Sequence, residues 1–292
     1  MTKTLALIAL ISITNFNIQA KLREYETTRL KSTAGAGVAS ILMDEATILN
    51  PAPIAFFNIS SIYMEKTSSD STDVDDNSLE GTSNYALIAS DSSKALKGSI
   101  SYVDAKSGGE KYKQIATSLA ATVGNKSSIG FTYQKMERVD IYQGVKTKAD
   151  YQQINIGVFH AVNPSFSLGL VAMDILEKSA NNNKAVIGAQ YQVGNYISLM
   201  LDAGADYQEE LSERSLWRAA IQFKIMNNFY LRAGMFDDSI DMQSGSGFGL
   251  SWIQPKLALN FAIRNIKQEE APELKQILAD VKETSFSVSY RF

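Results

Sequence analysis

Residues 285–292 read Ser-Phe-Ser-Val-Ser-Tyr-Arg-Phe and end the chain. Apolar and polar residues alternate through this stretch, and its apolar members are Phe286, Val288, Tyr290 and Phe292. Successive side chains of a β-strand point to opposite faces of a sheet. The stretch therefore predicts a strand with one apolar face and one polar face, ending on an aromatic residue.

The same alternation recurs along most of the chain. Most of the alternating segments have about the 9–11 residues that a tilted strand needs to cross a bilayer. There are fourteen of them, at 54–65, 83–90, 96–104, 112–123, 127–136, 151–162, 165–174, 184–193, 196–206, 216–226, 228–236, 245–253, 256–266 and 284–292.

The connections between these segments alternate between short and long. Tight-turn sequences such as Gly124-Asn125-Lys126 and Gly194-Asn195 follow even-numbered segments, whereas polar stretches such as 66–82 and 267–283 follow odd-numbered ones. Outer-membrane barrels have short periplasmic turns and longer extracellular loops. We therefore predict an all-β fold, a 14-stranded antiparallel transmembrane β-barrel, with both termini in the periplasm. A soluble sandwich of two sheets is the alternative, but it does not require this alternation of connections.

Composition excludes several classes of function. The chain of 292 residues has no Cys, one His and a formal net charge of -3, so disulfides, thiolate metal sites and sites with two imidazoles are excluded. The balanced charge gives no reason to expect a nucleic-acid partner. The polar residues of 70–80 do not complete a calcium loop, because Ser78 stands where glycine is needed. We predict no enzyme, no metal and no cofactor, and we place His160 at the membrane interface near the end of the sixth segment.

The N-terminus has the features of a secretory signal peptide. Lys3 precedes an apolar run from Leu5 to Ile13, and a small residue, Ala20, ends the predicted cleavage site. The run is too short to cross a bilayer as a helix. We therefore predict a cleaved signal peptide at 1–20 and export to the bacterial outer membrane.

A segment that does not alternate lies between the signal peptide and the first strand. It is rich in small residues at 32–40, and the stretch 38–49 predicts a short helix that ends before Asn50-Pro51. Its apolar residues argue against full exposure to solvent. We predict a hatch at 21–52 that folds into the barrel mouth, followed by the barrel at 53–292.

This segment resembles the N-terminal hatch of FadL-type outer-membrane transporters and of the related PorV/PorQ-type barrels. The resemblance is carried by Gly35, Gly37, Val38, Ala39, Asp44, Ala46, Asn50, Pro51 and Ala52. It implies fourteen strands and a hatch that ends in Asn-Pro-Ala. It also implies that the gate consists of Gly35, Gly37, Asp44, Asn50, Pro51 and Ala52.

Two functions follow from this resemblance. The first is passive uptake of small hydrophobic, fatty-acid-like compounds through a barrel that the hatch gates. The alternative is a PorV-type scaffold that binds or hands over exported surface proteins. The expected partners are outer-membrane lipids, the barrel-assembly machinery acting through the C-terminal strand, and either a hydrophobic ligand or an exported protein.

The two faces of the predicted strands assign further roles. Polar residues in the inward phase of the strands are candidates for facing the lumen, and Asp202 has the same phase. The candidates are Gln190, Gln192, Arg218, Gln222, Lys224, Arg232, Asn260, Arg264 and Arg291. The aromatic girdles at the membrane interfaces are expected to contain Tyr63, Tyr133, Trp217, Phe229, Trp252 and Tyr290. The resemblance to outer-membrane barrels makes Phe286, Val288, Tyr290 and Phe292 an assembly signal. Leu274, Ile277, Leu278 and Val281 have helical spacing, which predicts a small amphipathic helix within 267–283.

Overall fold

A computed structural model describes residues 25–72, 78–93, 96–107, 110–142, 145–176, 183–207, 214–268 and 280–292. The predicted signal peptide lies outside the described residues, as do 73–77 of the acidic stretch and 269–279 of the predicted amphipathic helix. Val281 of that helix lies instead in the last strand, where it is buried. No helix in the described part of the chain is long and apolar enough to cross a bilayer.

Fourteen strands form one closed barrel in which each strand pairs antiparallel with its neighbours in sequence. The first strand also pairs with the last, and this contact closes the barrel. The fold predicted from the alternating segments is therefore confirmed. The strands are β1 Ser60–Thr72, β2 Ser78–Asp91, β3 Lys97–Ser107, β4 Glu110–Val123, β5 Ser127–Tyr142, β6 Val145–Asn163, β7 Phe166–Ala172, β8 Lys184–Val193, β9 Ile197–Asp206, β10 Ser215–Met226, β11 Phe229–Asp238, β12 Gln243–Ile253, β13 Leu257–Gln268 and β14 Asp280–Arg291.

The two faces of the barrel differ as the alternation requires. Large apolar side chains are exposed on the outer face, among them Ile115, Phe131, Leu201 and Phe248. The inner face carries serine, glycine and charged residues together with buried apolar residues such as Val171 and Leu216. An apolar outer band is what a barrel needs in order to span a membrane.

The first strand begins later than the sequence predicted. The predicted segment 54–65 is replaced by a 3-10 helix at Ala52–Phe56 and by β1 from Ser60. With this register Ile62 and Met64 face outward, whereas Tyr63 faces inward and is 1% exposed. The assignment of Tyr63 to an aromatic girdle is therefore wrong, because its hydroxyl reaches a polar cluster in the lumen.

At the end of the barrel opposite Phe292, here called the loop end, the strands continue beyond the alternating segments of the sequence. Backbone pairing continues there through polar residues, for example between Lys106 and Lys111. The wall is uneven at this end, because β6 has 19 residues and the adjacent β7 has 7. The other end, with the short connections and the closing contact between Ser60 and Phe292, is here called the turn end.

Residues 25–59, here called the plug, fill the interior of the barrel. The plug contains one short helix, α1 at Thr28–Ser32, and the 3-10 helix. The helix predicted over 38–49 is not formed. That stretch consists of turns with isolated hydrogen bonds such as those from Ser40 N to Gly37 O and from Leu49 N to Glu45 O, because the small residues around it let the chain fold tightly against the wall.

Candidate functional site: the plug and the lumen wall

Pairs of glycines on neighbouring strands let the plug approach the wall closely. Gly130 pairs with Gly157, Gly169 with Gly188, and Gly234 with Gly247. A Cβ atom at Gly130 would lie 2.9 Å from Pro51, and one at Gly188 would lie 2.8 Å from the Val38 Cβ. Since no side chain fits there, the backbone of the plug packs directly on the backbone of the wall.

Asp202 and Arg218, which are paired neighbours on β9 and β10, hold the turn at Gly35–Val38. Asp202 Oδ2 accepts hydrogen bonds from Gly37 N at 2.8 Å and Val38 N at 3.1 Å. Arg218 donates to Gly35 O at 3.2 Å. Gly35 and Gly37 have φ angles of 82° and 146°, a backbone region that favours glycine.

A second polar cluster holds the first turns of the plug to β1. Lys31 Nζ lies 2.6 Å from Glu65 Oε1, and both side chains are buried. Lys31 also donates to Thr67, and the backbone N–H of Thr28 donates to Glu65 Oε2 at 2.6 Å. Tyr63 donates to the same carboxylate. A buried ion pair is stable only when such additional hydrogen bonds satisfy it.

Asn50 connects the end of the plug to its middle and to the wall. Its side-chain amide donates to Val38 O at 2.8 Å and to Val158 O of β6 at 3.2 Å. Its side-chain carbonyl accepts from Ala52 N at 3.0 Å. A Cβ atom at Gly157 would overlap Asn50. The Asn-Pro-Ala motif therefore fixes the turn that leads into the 3-10 helix of the plug.

The plug also bridges the seam, defined as the contact between β1 and β14 that closes the barrel. Asp44 accepts from Ser61 of β1 at 2.8 Å and from Ser289 of β14 at 2.9 Å. Thr28 lies 3.0 Å from Glu65 of β1 and 2.7 Å from Ser285 of β14. Two plug residues thus each contact both strands of the seam.

Glu45 is a buried acid inside the plug. Burial raises the pKa of the Glu45 carboxyl, although Arg29 and the Thr27 hydroxyl act in the opposite direction. The Thr27 hydroxyl donates to Glu45 at 3.1 Å. Thr27 is also the N-cap of α1, so the charge of Glu45 is linked to the start of this helix.

A small polar cavity lies between the plug and strands β4–β6. Its volume is about 20 Å³, which is room for one or two water molecules rather than for an organic compound. It is lined by Tyr25, Ile48, Gln114, Gln134, Gln153, Asn155 and Met173.

The predicted lumen-facing residues occupy inward positions at different heights. Four of them are buried in the lumen, namely Arg218, Arg232, Asn260 and Arg264. Arg264 lies 2.8 Å from Glu26 of the plug, and Arg232 donates to Gln222 at 2.7 Å. Gln190 is half-buried. Gln192, Lys224 and Arg291 lie near the turn end and are at least partly exposed.

The remaining predicted positions lie on the outer face. Phe286, Tyr290 and Phe292 are exposed, and Val288 is half-buried beside them. Tyr133, Trp217 and Phe229 are exposed as girdle residues should be, while Trp252 is half-buried. His160 also faces outward, 2.8 Å from Ser127. Among the described residues no three His, Asp or Glu side chains cluster as a metal site.

Two features of this interface are missing from the sequence prediction. The Lys31–Glu65 pair was missed because the predicted first segment ended at Glu65, and no inward contact was assigned to that residue. The glycine pairs were missed because glycine in one strand carries little information. Inward-facing glycines that recur on adjacent strands are the signal that could have revealed them.

Comparison with solved structures finds barrels of the same fold. The Pseudomonas putida toluene transporter TodX matches with a TM-score of 0.68 and 9% identity over 94% of this chain and 99% of that one. The Ralstonia pickettii toluene transporter TbuX matches with a TM-score of 0.63 and 10% identity over 92% and 98%. A Pseudomonas aeruginosa FadL homologue matches with a TM-score of 0.59 and 13% identity over 91% and 98%. No protein-family model and no curated protein sequence matches. The predicted FadL-type fold is confirmed by the structural matches.

Proposed function

We propose that this protein is an outer-membrane channel for the passive uptake of small hydrophobic compounds, and that movement of the plug opens it. The observation that carries the proposal is the filled lumen. The plug occupies the interior, and the cavity of about 20 Å³ beside it has room for water but not for an organic compound. A compound can pass such a barrel only after the plug moves.

The contacts of the plug are suited to reversible movement. Apolar clusters pack the plug against the wall. Many of its polar contacts are hydrogen bonds, such as those that Asn50 donates and those that Asp44 accepts. Each contributes about 1 kcal/mol net, because water replaces the partner when the contact breaks. The left-handed backbone at Gly35 and Gly37 supplies positions where the chain can change direction.

The fold neighbours support a hydrophobic substrate. TodX and TbuX are described as toluene transporters, and CymD as a monoaromatic hydrocarbon channel. We extend this chemical class to the present chain, and we keep fatty-acid-like compounds within it. We propose a non-catalytic role for the same reason. No feature of the described residues favours the scaffold alternative over a channel.

A reversible crosslink between plug and wall tests the proposal. Thr28 Oγ1 and Ser285 Oγ are 2.7 Å apart, and the chain has no Cys of its own. Thr28→Cys with Ser285→Cys therefore gives one new disulfide, which is formed by an oxidant and released by a reductant. Uptake of radiolabelled toluene and of a long-chain fatty acid is measured in cells that carry this variant in their outer membrane.

We expect uptake in the reduced state and loss of uptake in the oxidised state. The single variant Thr28→Cys is the control, and its uptake should not respond to oxidation. Equal uptake in both states of the double variant would reject gating by the plug while leaving transport intact. A folded wild-type barrel that takes up neither compound would reject the transport function itself.

A further inference from the structure

Three lysines form a cluster on the outer face of the β3–β4 hairpin, close to the loop end. Lys106 of β3 lies directly opposite Lys111 of β4. Lys113 follows on the same face of β4, and all three side chains are exposed. Among the residues that the structure describes, none of the three has an acidic partner within 4 Å.

Lysines in this arrangement repel one another. The Cβ atoms of directly opposite residues in an antiparallel pair are about 5 Å apart, and like charges at such positions destabilise the sheet. A cluster of this kind becomes favourable when an anion lies between the ammonium groups. The arrangement therefore points to an anionic ligand on the outer face of the barrel.

The surroundings of the cluster indicate where this anion lies. Tyr102 and Ile115, which follow the Asp104–Lys113 pair on the outer face toward the membrane, are 39% and 52% exposed. They pair directly with each other across β3 and β4. Lys113 is thus next to the apolar band, and Lys106 and Lys111 lie one outward pair further from it, close to the height where lipid headgroups meet the barrel.

We propose that Lys106, Lys111 and Lys113 bind the phosphate groups of a membrane lipid in the leaflet at the loop end. With the longer connections outside the cell, as the sequence predicts, this lipid is a phosphorylated glycolipid. Its acyl chains would lie along Tyr102 and Ile115 while its phosphates contact the lysines. Each basic residue close to an anionic membrane surface strengthens such binding.

Acidic residues lie directly opposite one lysine of the cluster, Lys113, whereas Lys106 and Lys111 lie opposite each other. Asp104, Glu137 and Asp150 form the next rung of the outer face together with Lys113. Lys148 lies 3.5 Å from Glu137 and 3.8 Å from Asp150, and Lys135 lies 3.7 Å from Glu137. Two of the acids thus already face lysines of β5 and β6.

Lysines elsewhere on the loop end provide a matched control. Lys66 lies over the ring of Tyr85, at 5.8 Å from its centroid. Lys282 lies directly opposite Asp70, and Lys267 opposite Ser244. These three are also exposed, but none of them faces another lysine.

The test compares two triple variants in a neutral detergent. One carries Lys106→Gln, Lys111→Gln and Lys113→Gln, and the control carries Lys66→Gln, Lys267→Gln and Lys282→Gln. The thermal midpoint of each is measured with increasing diphosphoryl lipid A, and separately with inorganic phosphate at the same phosphate concentration. The lipid dependence of the midpoint gives the apparent affinity.

We expect lipid A to raise the midpoint of the wild type and of the control, and the cluster variant to bind lipid A at least about tenfold more weakly. Equal affinity in the cluster variant and the wild type would overturn the proposal, as would an equal loss in the control. An equal effect of inorganic phosphate would also overturn it, since a free anion would then suffice.

Discussion

At the scale of single residues, the plug is held by a few polar side chains that each serve several partners. Asp202 satisfies two backbone N–H groups of the plug, and Glu65 accepts from Lys31, Thr28 and Tyr63. Removing such a group leaves several buried donors without a partner, which costs more than one hydrogen bond contributes. A small number of substitutions should therefore loosen the plug selectively.

Replacing Asp202 by alanine should release the turn at Gly35–Val38. The two N–H groups lose their acceptor and Arg218 loses its neighbouring charge, so we expect a loss of about 2–4 kcal/mol in the docking of this turn. Hydrogen exchange of the amides of 35–39 measures the effect. Amide protection equal to that of the wild type would show that Asp202 does not hold the plug.

Alanine at Gly169 should displace the plug by steric overlap. The added Cβ atom would overlap Val38 O, which belongs to the backbone and cannot rotate away. We expect a destabilisation of about 1–3 kcal/mol, visible as a lower urea midpoint. Gly98→Ala is the control, because its Cβ atom would lie 3.2 Å from a flexible leucine side chain. Equal midpoints for the two variants would contradict the proposed backbone contact.

The raised pKa of Glu45 should make the plug sensitive to pH. A carboxyl with a raised pKa binds its proton more tightly in the folded state than in the unfolded chain. Protonation of Glu45 therefore stabilises the docked plug as the pH falls from neutral toward the ordinary carboxyl range. This stabilisation is lost as the pH rises through the raised pKa of Glu45. The difference between the thermal midpoints at about pH 5 and about pH 8 should be smaller in Glu45→Gln than in the wild type. An unchanged difference would exclude Glu45 as its source.

At the scale of secondary-structure elements, the plug and the barrel seam support each other. Asp44 and Thr28 each contact β1 and β14, the two strands that are most distant in sequence. Elsewhere the wall is continuous through hairpins. At the seam the two strands are joined only by hydrogen bonds and side-chain packing, so the bridges made by the plug matter most there.

Asp44→Ala should therefore weaken the seam more than other parts of the barrel. Ser61 and Ser289 lose their shared acceptor, and we expect faster hydrogen exchange in β1 and β14 but not in β9 or β10. Ser118→Ala is the control, because Ser118 of β4 contacts the plug at Ala46 O and Thr132 of β5, and neither contact involves the seam. Uniform acceleration over the whole barrel would argue against a local effect.

The sequence predicted the strands better than it predicted the plug. The alternation of apolar and polar residues predicts the number of strands. It also predicts which side chains face the membrane and which face the lumen, because the pattern is local in the sequence. Tyr63 was misplaced because two prolines, Pro51 and Pro53, start a 3-10 helix that delays β1, and its inward position depends on a lumen cluster. The plug has no periodicity. Its shape depends on contacts with glycines more than a hundred residues away, such as Val38 with Gly169, which no local pattern records.

At the scale of the whole molecule, the barrel encloses the plug in its lumen. Deleting 33–52 should raise the ion conductance of the barrel in planar bilayers, because this segment fills the lumen. The fourteen strands should remain paired, which the strand signal in circular dichroism and resistance to proteolysis would report. Unchanged conductance of a folded barrel would show that other residues close the lumen.

The short strand β7 has a consequence for the lipids beside it. Seven tilted residues span only about 18 Å, less than the apolar band of about 25 Å that such barrels usually present. Ile175 and Leu176, which follow the strand and are 38% and 46% exposed, supply part of the missing apolar surface. Local thinning of the bilayer next to β7 would accommodate a shorter apolar surface at this strand. The protein should therefore impose an uneven membrane thickness around its circumference, with the thinnest point at this strand.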